Sequence, residues 1–350
     1  MSPETANRLR TQGERILAWL FRLAGRLGDG ASGGRGGRAV LLAYHRVLPL
    51  ERLRAFPFLE DLVTPEENFV EQMALLAARF RVLSLEEIFR TLREGGRFGP
   101  RTIGVTFDDG YADNHQFAWP ALRRHRLPAT VFLATGHVGG ARGLFWWDEV
   151  SRWRSAGVKS VEVEGLGRRP VSTPHERDRL LEELKRLPVD DLNLRVRHAS
   201  ARAGLGPVAD AEKEFLSWDQ VREMQADGIT FGSHTVSHCL LPRESAERRR
   251  AELVDSRAII ARETGRPCTL FCYPNGAATE TVSREVREAG FAGAVVTRAR
   301  DLVQEAGIDL YRLPRKLINY RAGMTVFRFR LSHHPERIKR LSEKGAGVAA

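Results

Sequence analysis

Two carboxylates and two imidazoles are the groups in this chain whose types and spacing could do chemistry. Asp108 and Asp109 are adjacent, follow the apolar residues 103–107 and are stopped by Gly110. A short run rich in β-branched residues and ended by glycine is the pattern of a buried strand. Two carboxylates at the end of such a strand are costly to desolvate without partners. One solution is a divalent cation, with one carboxylate as ligand and the other free as a base beside the metal's water. The alternative is a helix N-cap and a first-turn acid, both positions that favour Asp.

His234 and His238 are four residues apart and follow a second apolar run, residues 229–233. At that spacing two imidazoles lie on one side of a helical turn and can share a cation. Capping or solvent-facing histidines would show the same spacing. His45 follows a third apolar run, residues 39–43, where it could donate a proton, bind a metal or simply pack. Two His and one carboxylate form a facial ligand set with open positions, and one carboxylate is left over for proton transfer.

Convergence requires a scaffold that brings strand ends together. Apolar runs near 39–43, 103–107, 129–134, 229–233, 269–273 and 293–297 alternate with helical patterns, which is an α/β rhythm. In a barrel of parallel strands the C-terminal ends all face one side. Helices are predicted over 65–80 and 84–95, with Thr64 and Ser84 as N-caps, each followed three residues later by Glu. From about 150 to 214 the rhythm breaks into a short β-like piece and charged helical segments, which predicts a mainly helical insertion over one face.

The 350 residues allow one large α/β domain or two modest ones, and 42% hydrophobic content is enough for a packed core. No apolar run reaches the length of a membrane span. The net charge of +11 favours anionic partners. No nucleic-acid motif accompanies it, so nucleic acid is not expected as a partner. Cys239, Cys268 and Cys272 are an odd number and a poor disulfide or zinc framework, so free thiols are expected. Residues 1–38 read as a basic amphipathic helix over 1–28 and a Gly-rich linker. That helix could lie on an anionic membrane face or pack on the domain. With no cleavable export signal apparent, a cytoplasmic location is expected, with the inner membrane face as an option. Residues 39–335 form the main domain, and 336–350 a frayed tail.

Thr106-Phe107-Asp108-Asp109-Gly110 together with Ser233-His234-Thr235-Val236-Ser237-His238 resembles the polysaccharide deacetylases with a NodB-homology domain, carbohydrate esterase family 4. Tyr44-His45-Arg46-Val47, Trp146-Trp147-Asp148 and Tyr273-Pro274-Asn275-Gly276 resemble the poly-N-acetylglucosamine deacetylase subgroup, over roughly residues 39–320. The resemblance implies an irregular TIM-like (β/α) barrel without the full eight strands. It implies hydrolysis of N-acetyl groups from an N-acetylated glycan with a divalent metal, Zn2+ above others. Asp109, His234 and His238 match the metal ligands, and Asp108 matches the base. Adjacent Trp146 and Trp147 could bury an interface or line a carbohydrate site, with core packing the better reading for at least one of them, and Trp147 is the one placed at the substrate. The resemblance places a backbone N–H in the turn from Tyr273 to Asn275 at the oxyanion. Cys272 and Asn275 stand where the family carries an arginine and an aromatic, and no late Leu-x-His motif is clear near Leu313. The acid role then passes to His45, and Arg315 becomes the charge partner of Asp108. An O-acetyl esterase of the xylan type or an allantoinase-like amidohydrolase would use much the same residues. A catalytically silent glycan-binding module is the alternative of another class.

Overall fold

The computed structural model describes Ile16 and residues 37–55, 60–208, 210–298, 300–303 and 307–332. The predicted amphipathic segment, most of the linker and the tail 336–350 lie outside these residues, Ile16 excepted. No described helix is long and apolar enough to cross a membrane.

Seven strands run parallel: β1 (Arg38–Tyr44), β2 (Thr102–Phe107), β3 (Thr130–Leu133), β4 (Thr230–Ser233), β5 (Leu270–Cys272), β6 (Gly293–Thr297) and β7 (Leu313–Leu317). Their neighbour order is β1-β7-β6-β5-β4-β3-β2, and β2 pairs with β1 again, so the sheet closes. This is the expected α/β barrel with fewer than eight strands. Leu302–Val303 adds an antiparallel edge to β1, and Arg81–Val82 lies parallel to β2.

Most of these strands are apolar on both faces because each face meets a different core. In β1, Ala39 and Leu41 pack with Phe132, Leu270, Val295 and Leu313 of the other strands. The alternate residues Val40, Leu42 and Tyr44 pack with Phe69, Met73 and Leu76 of the helix Glu66–Arg79. That is the period-two division of a strand buried on both sides. Each such large apolar side chain contributes about 1.5–3 kcal/mol on burial.

Ser84 caps the helix Leu85–Arg93 with the expected capping box to Glu87. Thr64 does not cap the preceding helix: Pro65 occupies that boundary, with φ −57° and ψ 137°. Thr64 instead sits in the short strand Val63–Pro65, and its hydroxyl donates to the Ile318 carbonyl at 3.4 Å. The proline's fixed φ suits the extended boundary position and displaces the cap by one residue.

Between β3 and β4 lie the helix Trp146–Ser155, a hairpin of Ser160–Val163 with Gly167–Pro170, and the helices Pro174–Leu184 and Val189–Arg202. Trp153, Leu180, Leu184 and Val196 form a second core with Tyr111, Phe145 and Phe215. Tyr111 follows Asp109 by two residues, so this unit packs directly beside the end of β2.

Candidate active site at the C-terminal end of the barrel

The strand register sets which loops meet. Tyr44 pairs with Phe107, so the next residues, His45 and Asp108, emerge side by side, and the Asp108 N–H donates to the Tyr44 carbonyl at 2.9 Å. Phe271 pairs with Ser233, which brings Cys272 beside His234. Thr297 pairs with Arg315, placing Arg315 at the same end of the barrel.

Asp109, His234 and His238 offer ligand atoms that all lie within 4.8 Å of one another. Asp109 Oδ1 is buried and has no hydrogen-bond partner among the described residues, while Nε2 of His234 and of His238 stand 3.5 and 3.3 Å away. His234 Nδ1 lies 2.7 Å from the Cys272 carbonyl oxygen. A carbonyl can only accept, so Nδ1 carries a proton, and in the neutral imidazole Nε2 is the atom left to bind a cation. A partnerless buried carboxylate oxygen beside two imidazole Nε2 atoms is a donor set that fits a divalent cation. Burial pushes the Asp109 carboxyl up, but the two facing imidazoles outweigh it and hold it well below the usual range.

The two histidines are not on a helical turn, contrary to expectation. They lie on an irregular loop in which Thr235 has φ 68° and His238 φ 55°; Asp109 likewise has φ 77°. Left-handed φ at a β-branched residue is unusual and costs on the order of 1–3 kcal/mol. Glu252 of the helix Ala246–Thr264 holds the loop in that shape. Its Oε2 accepts the N–H groups of Val236 and Ser237 at 2.7 and 2.9 Å, and its Oε1 accepts the Ser237 hydroxyl at 2.6 Å. Two further bonds, Thr135 N–H to Thr235 O and Gly136 N–H to Val236 O, tie the loop to the end of β3.

Asp108 also has a carboxylate oxygen within 4.8 Å of His234 and Cys272 ligand atoms, but it is held by another partner. Arg315, fully buried, donates through Nη1 to Oδ1 and through Nη2 to Oδ2, both at 2.7 Å. Nη1 also reaches Thr106 Oγ1, and Nη2 reaches Cys272 Sγ, each at 2.9 Å. Burial raises the Asp108 carboxyl, yet the Arg315 charge and hydrogen bonds prevail and lower it below the ordinary value. Arg315 therefore meets Asp108 from β7, while Cys272 on β5 occupies the position where an arginine was expected.

His45 Nε2 stands 3.8 Å from Asp108 Oδ2. The backbone around it is clamped by two side chains. Asn114 Nδ2 donates to the His45 carbonyl at 2.7 Å, and Asp113 Oδ1 accepts the Val47 N–H at 3.0 Å. Arg46 completes the clamp, donating to Asp113 Oδ2 and Glu214 Oε2 at 2.7 Å each, with its guanidinium 4.2 Å over the Tyr111 ring.

Trp147 is not an open platform for a sugar. It is 6% exposed, stacks on Phe145 at 4.3 Å and stands edge-on to His238 at 4.6 Å. Its indole N–H donates to Tyr111 Oη, whose hydroxyl donates to Asp148 Oδ2, each at 2.9 Å. Trp147 thus walls in His238. Burial pushes the Asp148 carboxyl up to about 7, against the opposing charge of Arg46. Tyr273 is buried too, its hydroxyl on Ser283 Oγ at 3.3 Å and its N–H on the Val295 carbonyl. Pro274 has no N–H, so within that turn the exposed Asn275, at φ 55°, is the remaining backbone donor.

Sequence reasoning missed Asp113, Asn114, Glu252 and Asp148. Asp113 and Asn114 carried one signal, a polar cluster only five and six residues after Asp108. Asp148 lay inside a motif already noted for its tryptophans. Glu252 is one of many charged residues in its helix, and nothing local marks it.

Known proteins share the sequence pattern and the fold of this chain. YxkH of Bacillus subtilis (strain 168), named for polysaccharide deacetylation, is 20% identical over 276 residues, 79% of this chain and 69% of YxkH. A poly-β-1,6-N-acetyl-D-glucosamine N-deacetylase of Staphylococcus aureus (strain N315) is 30% identical over 109 residues, 29% of this chain, which spans only 37% of that enzyme. Among solved structures, IcaB from Ammonifex degensii superposes with a TM-score of 0.54 at 20% identity, covering 85% of this chain and 99% of that one. The model of the family described as polysaccharide deacetylase matches residues 95–186 and 197–294, spanning β2 with its acid pair and β4 with its histidines. With a barrel of this kind and that match across most of its strands, the chain belongs to the polysaccharide deacetylase family.

Proposed function

We propose that the chain is a hydrolase that removes N-acetyl groups from an amino-sugar polysaccharide with the help of a divalent metal, zinc being well suited to the donors. The observation that carries the reading is the partnerless Asp109 Oδ1 facing two imidazole nitrogens, with a second, differently held carboxylate next to it in the chain. N-acetyl rather than O-acetyl substrate is favoured by the activity for which the staphylococcal relative is named. Asp109, His234 and His238 would hold the cation, which would acidify water and polarise the acetyl carbonyl.

The chain's own groups divide the proton work. Asp108, kept ionised by Arg315, accepts the proton of the attacking water. The water oxygen bonds to the acetyl carbon, the carbon–nitrogen bond breaks, and acetate leaves. The amine nitrogen needs a proton as it departs, and His45, whose Nε2 stands 3.8 Å from Asp108 Oδ2, is the candidate to give it. The Asn275 N–H is the candidate donor to the developing oxyanion.

Acetate release from N-acetylglucosamine oligomers, run against acetylated xylan, tests the reading. Turnover of the oligomers is expected, with Asp108→Asn and His234→Ala folded and at least about a hundredfold slower. Turnover of xylan alone, or wild-type rates in both variants, would overturn it.

A further inference from the structure

Beside the candidate site lies a groove of about 560 Å³, lined among others by Glu182, Lys185, Arg186, Leu240, Arg243 and Asn275. Its walls come from two sources. The turn following the helix Pro174–Leu184 supplies Lys185 and Arg186, while the loops after β4 and β5 supply Leu240, Arg243 and Asn275. The groove adjoins the metal ligands through the chain itself. Leu240 is two residues beyond His238, so their Cα atoms are at most roughly 7.6 Å apart. Asn275, the candidate oxyanion donor, is itself part of the lining.

The charge of the groove is one-sided. Lys185, Arg186 and Arg243 face a single acid, Glu182, which Lys185 already contacts at 2.8 Å. Arg186 and Arg243 are exposed, and among the described residues neither side chain has a carboxylate partner. The neighbouring acids are engaged elsewhere: Glu244 accepts the Val189 N–H, Glu252 holds the histidine loop and pairs with Arg248, and Asp190 lies 3.4 Å from Arg248. Two unpaired guanidinium groups at the rim of a cleft are suited to bidentate recognition of an oxyanion.

We propose that this groove binds an anionic group, a carboxylate or a phosphate, carried by a sugar adjacent to the one that loses its acetyl group. The proposal rests on the deacetylase reading above for what occupies the neighbouring centre. It makes the substrate an acidic, or locally acidic, N-acetylated glycan rather than a uniformly neutral one.

Three N-acetylglucosamine oligomers of equal length and linkage test it with the full-length, zinc-loaded protein. One is neutral, one carries uronate at alternate sugars, and one carries 6-phosphate at alternate sugars. Both KM for acetate release and Kd by calorimetry are read. The expected result is tighter binding of at least one acidic oligomer by roughly tenfold over the neutral one, weakening as salt rises. In Arg186→Glu/Arg243→Glu, checked for an unchanged melting temperature, the ratio of acidic to neutral affinity falls to one or below. Equal affinity for all three oligomers in the wild type overturns the proposal, and so does a preference that survives the charge reversal. Preference for the uronate or for the phosphate oligomer alone identifies which oxyanion the groove takes. If no oligomer releases acetate while the acidic preference and its loss are still seen in Kd, the groove stands and the deacetylase reading fails.

Discussion

Arg315 on β7 and Asp108 after β2, 207 residues apart in the chain, meet in a two-point ion pair with both N–O distances 2.7 Å. The guanidinium is fully buried and shares its remaining contacts with Thr106 and Cys272. An ion pair sequestered this way cannot lose one member cheaply, because the other is left as an uncompensated buried charge. Asp108 is lowered by Arg315 despite its burial. The pair therefore contributes stability above the ordinary carboxylate pKa, and that contribution is lost as pH falls through the still lower folded value.

Arg315→Met should accordingly destabilise the protein by about 3–5 kcal/mol and raise the Asp108 pKa. The acid limb of the pH–rate profile for acetate release should move to higher pH, with Arg315→Lys falling between. Denaturant melts and pH–rate profiles of the three proteins check this; superimposable acid limbs would separate Arg315 from the base.

The Asp109, His234 and His238 set carries its own prediction. A cation bound only by the folded chain stabilises it by about 2.7 kcal/mol at a hundredfold excess over Kd. Zinc should raise the melting temperature of the chelator-stripped wild type by several degrees, and leave Asp109→Asn and His238→Ala nearly unmoved. Equal shifts in all three would place the cation elsewhere.

Glu252 should act through the histidine loop it holds. Glu252→Ala frees the Val236 and Ser237 N–H groups, and with them the left-handed Thr235 and His238. Partners of this kind typically account for 10–100-fold in metal affinity. A competition titration should show zinc binding weakened by about that factor, with Glu252→Gln less affected because it keeps an acceptor oxygen.

Six of the seven barrel strands were legible as apolar runs because they are buried on both faces, as in 103–107 and 293–297. The seventh, β7, hides buried Arg315 and Lys316 in the polar-looking stretch Leu313–Leu317. Asp108 and His45 were legible as residues at strand ends. Their adjacency was not, since it depends on the Tyr44–Phe107 register. The histidine loop was misjudged because spacing alone cannot tell a helical turn from a loop whose shape Glu252 imposes from 15 residues away. Trp147 was misplaced for a similar reason. Its burial is decided by Tyr111, 36 residues earlier, and by His238, as well as by its near neighbour Phe145.

Asn114 and His45 form a second coupled pair. Asn114→Ala removes the bond to the His45 carbonyl and leaves the imidazole chemically intact. It should lower kcat several-fold with little change in KM, whereas His45→Ala should cost about 10²–10⁴-fold. A KM rise of the same size in Asn114→Ala would point to substrate contact instead of positioning.

Asp148 should be visible in stability measured on chelator-treated protein. Its carboxyl is buried, accepts the Tyr111 hydroxyl, and is pushed up to about 7. An unfolded aspartate titrates near 3.9. Between about pH 4 and pH 7 the native state therefore holds a proton that the unfolded chain has released, so this group makes stability fall as pH rises, levelling off above 7. Asp148→Asn keeps an oxygen for the Tyr111 hydroxyl and has no charge to bury. Relative to wild type it should gain about 1.4 kcal/mol per pH unit across that window. A stability difference that stays flat from pH 4 to 8 would mean that the Arg46 charge, together with the Tyr111 bond, already keeps Asp148 ionised in the native state.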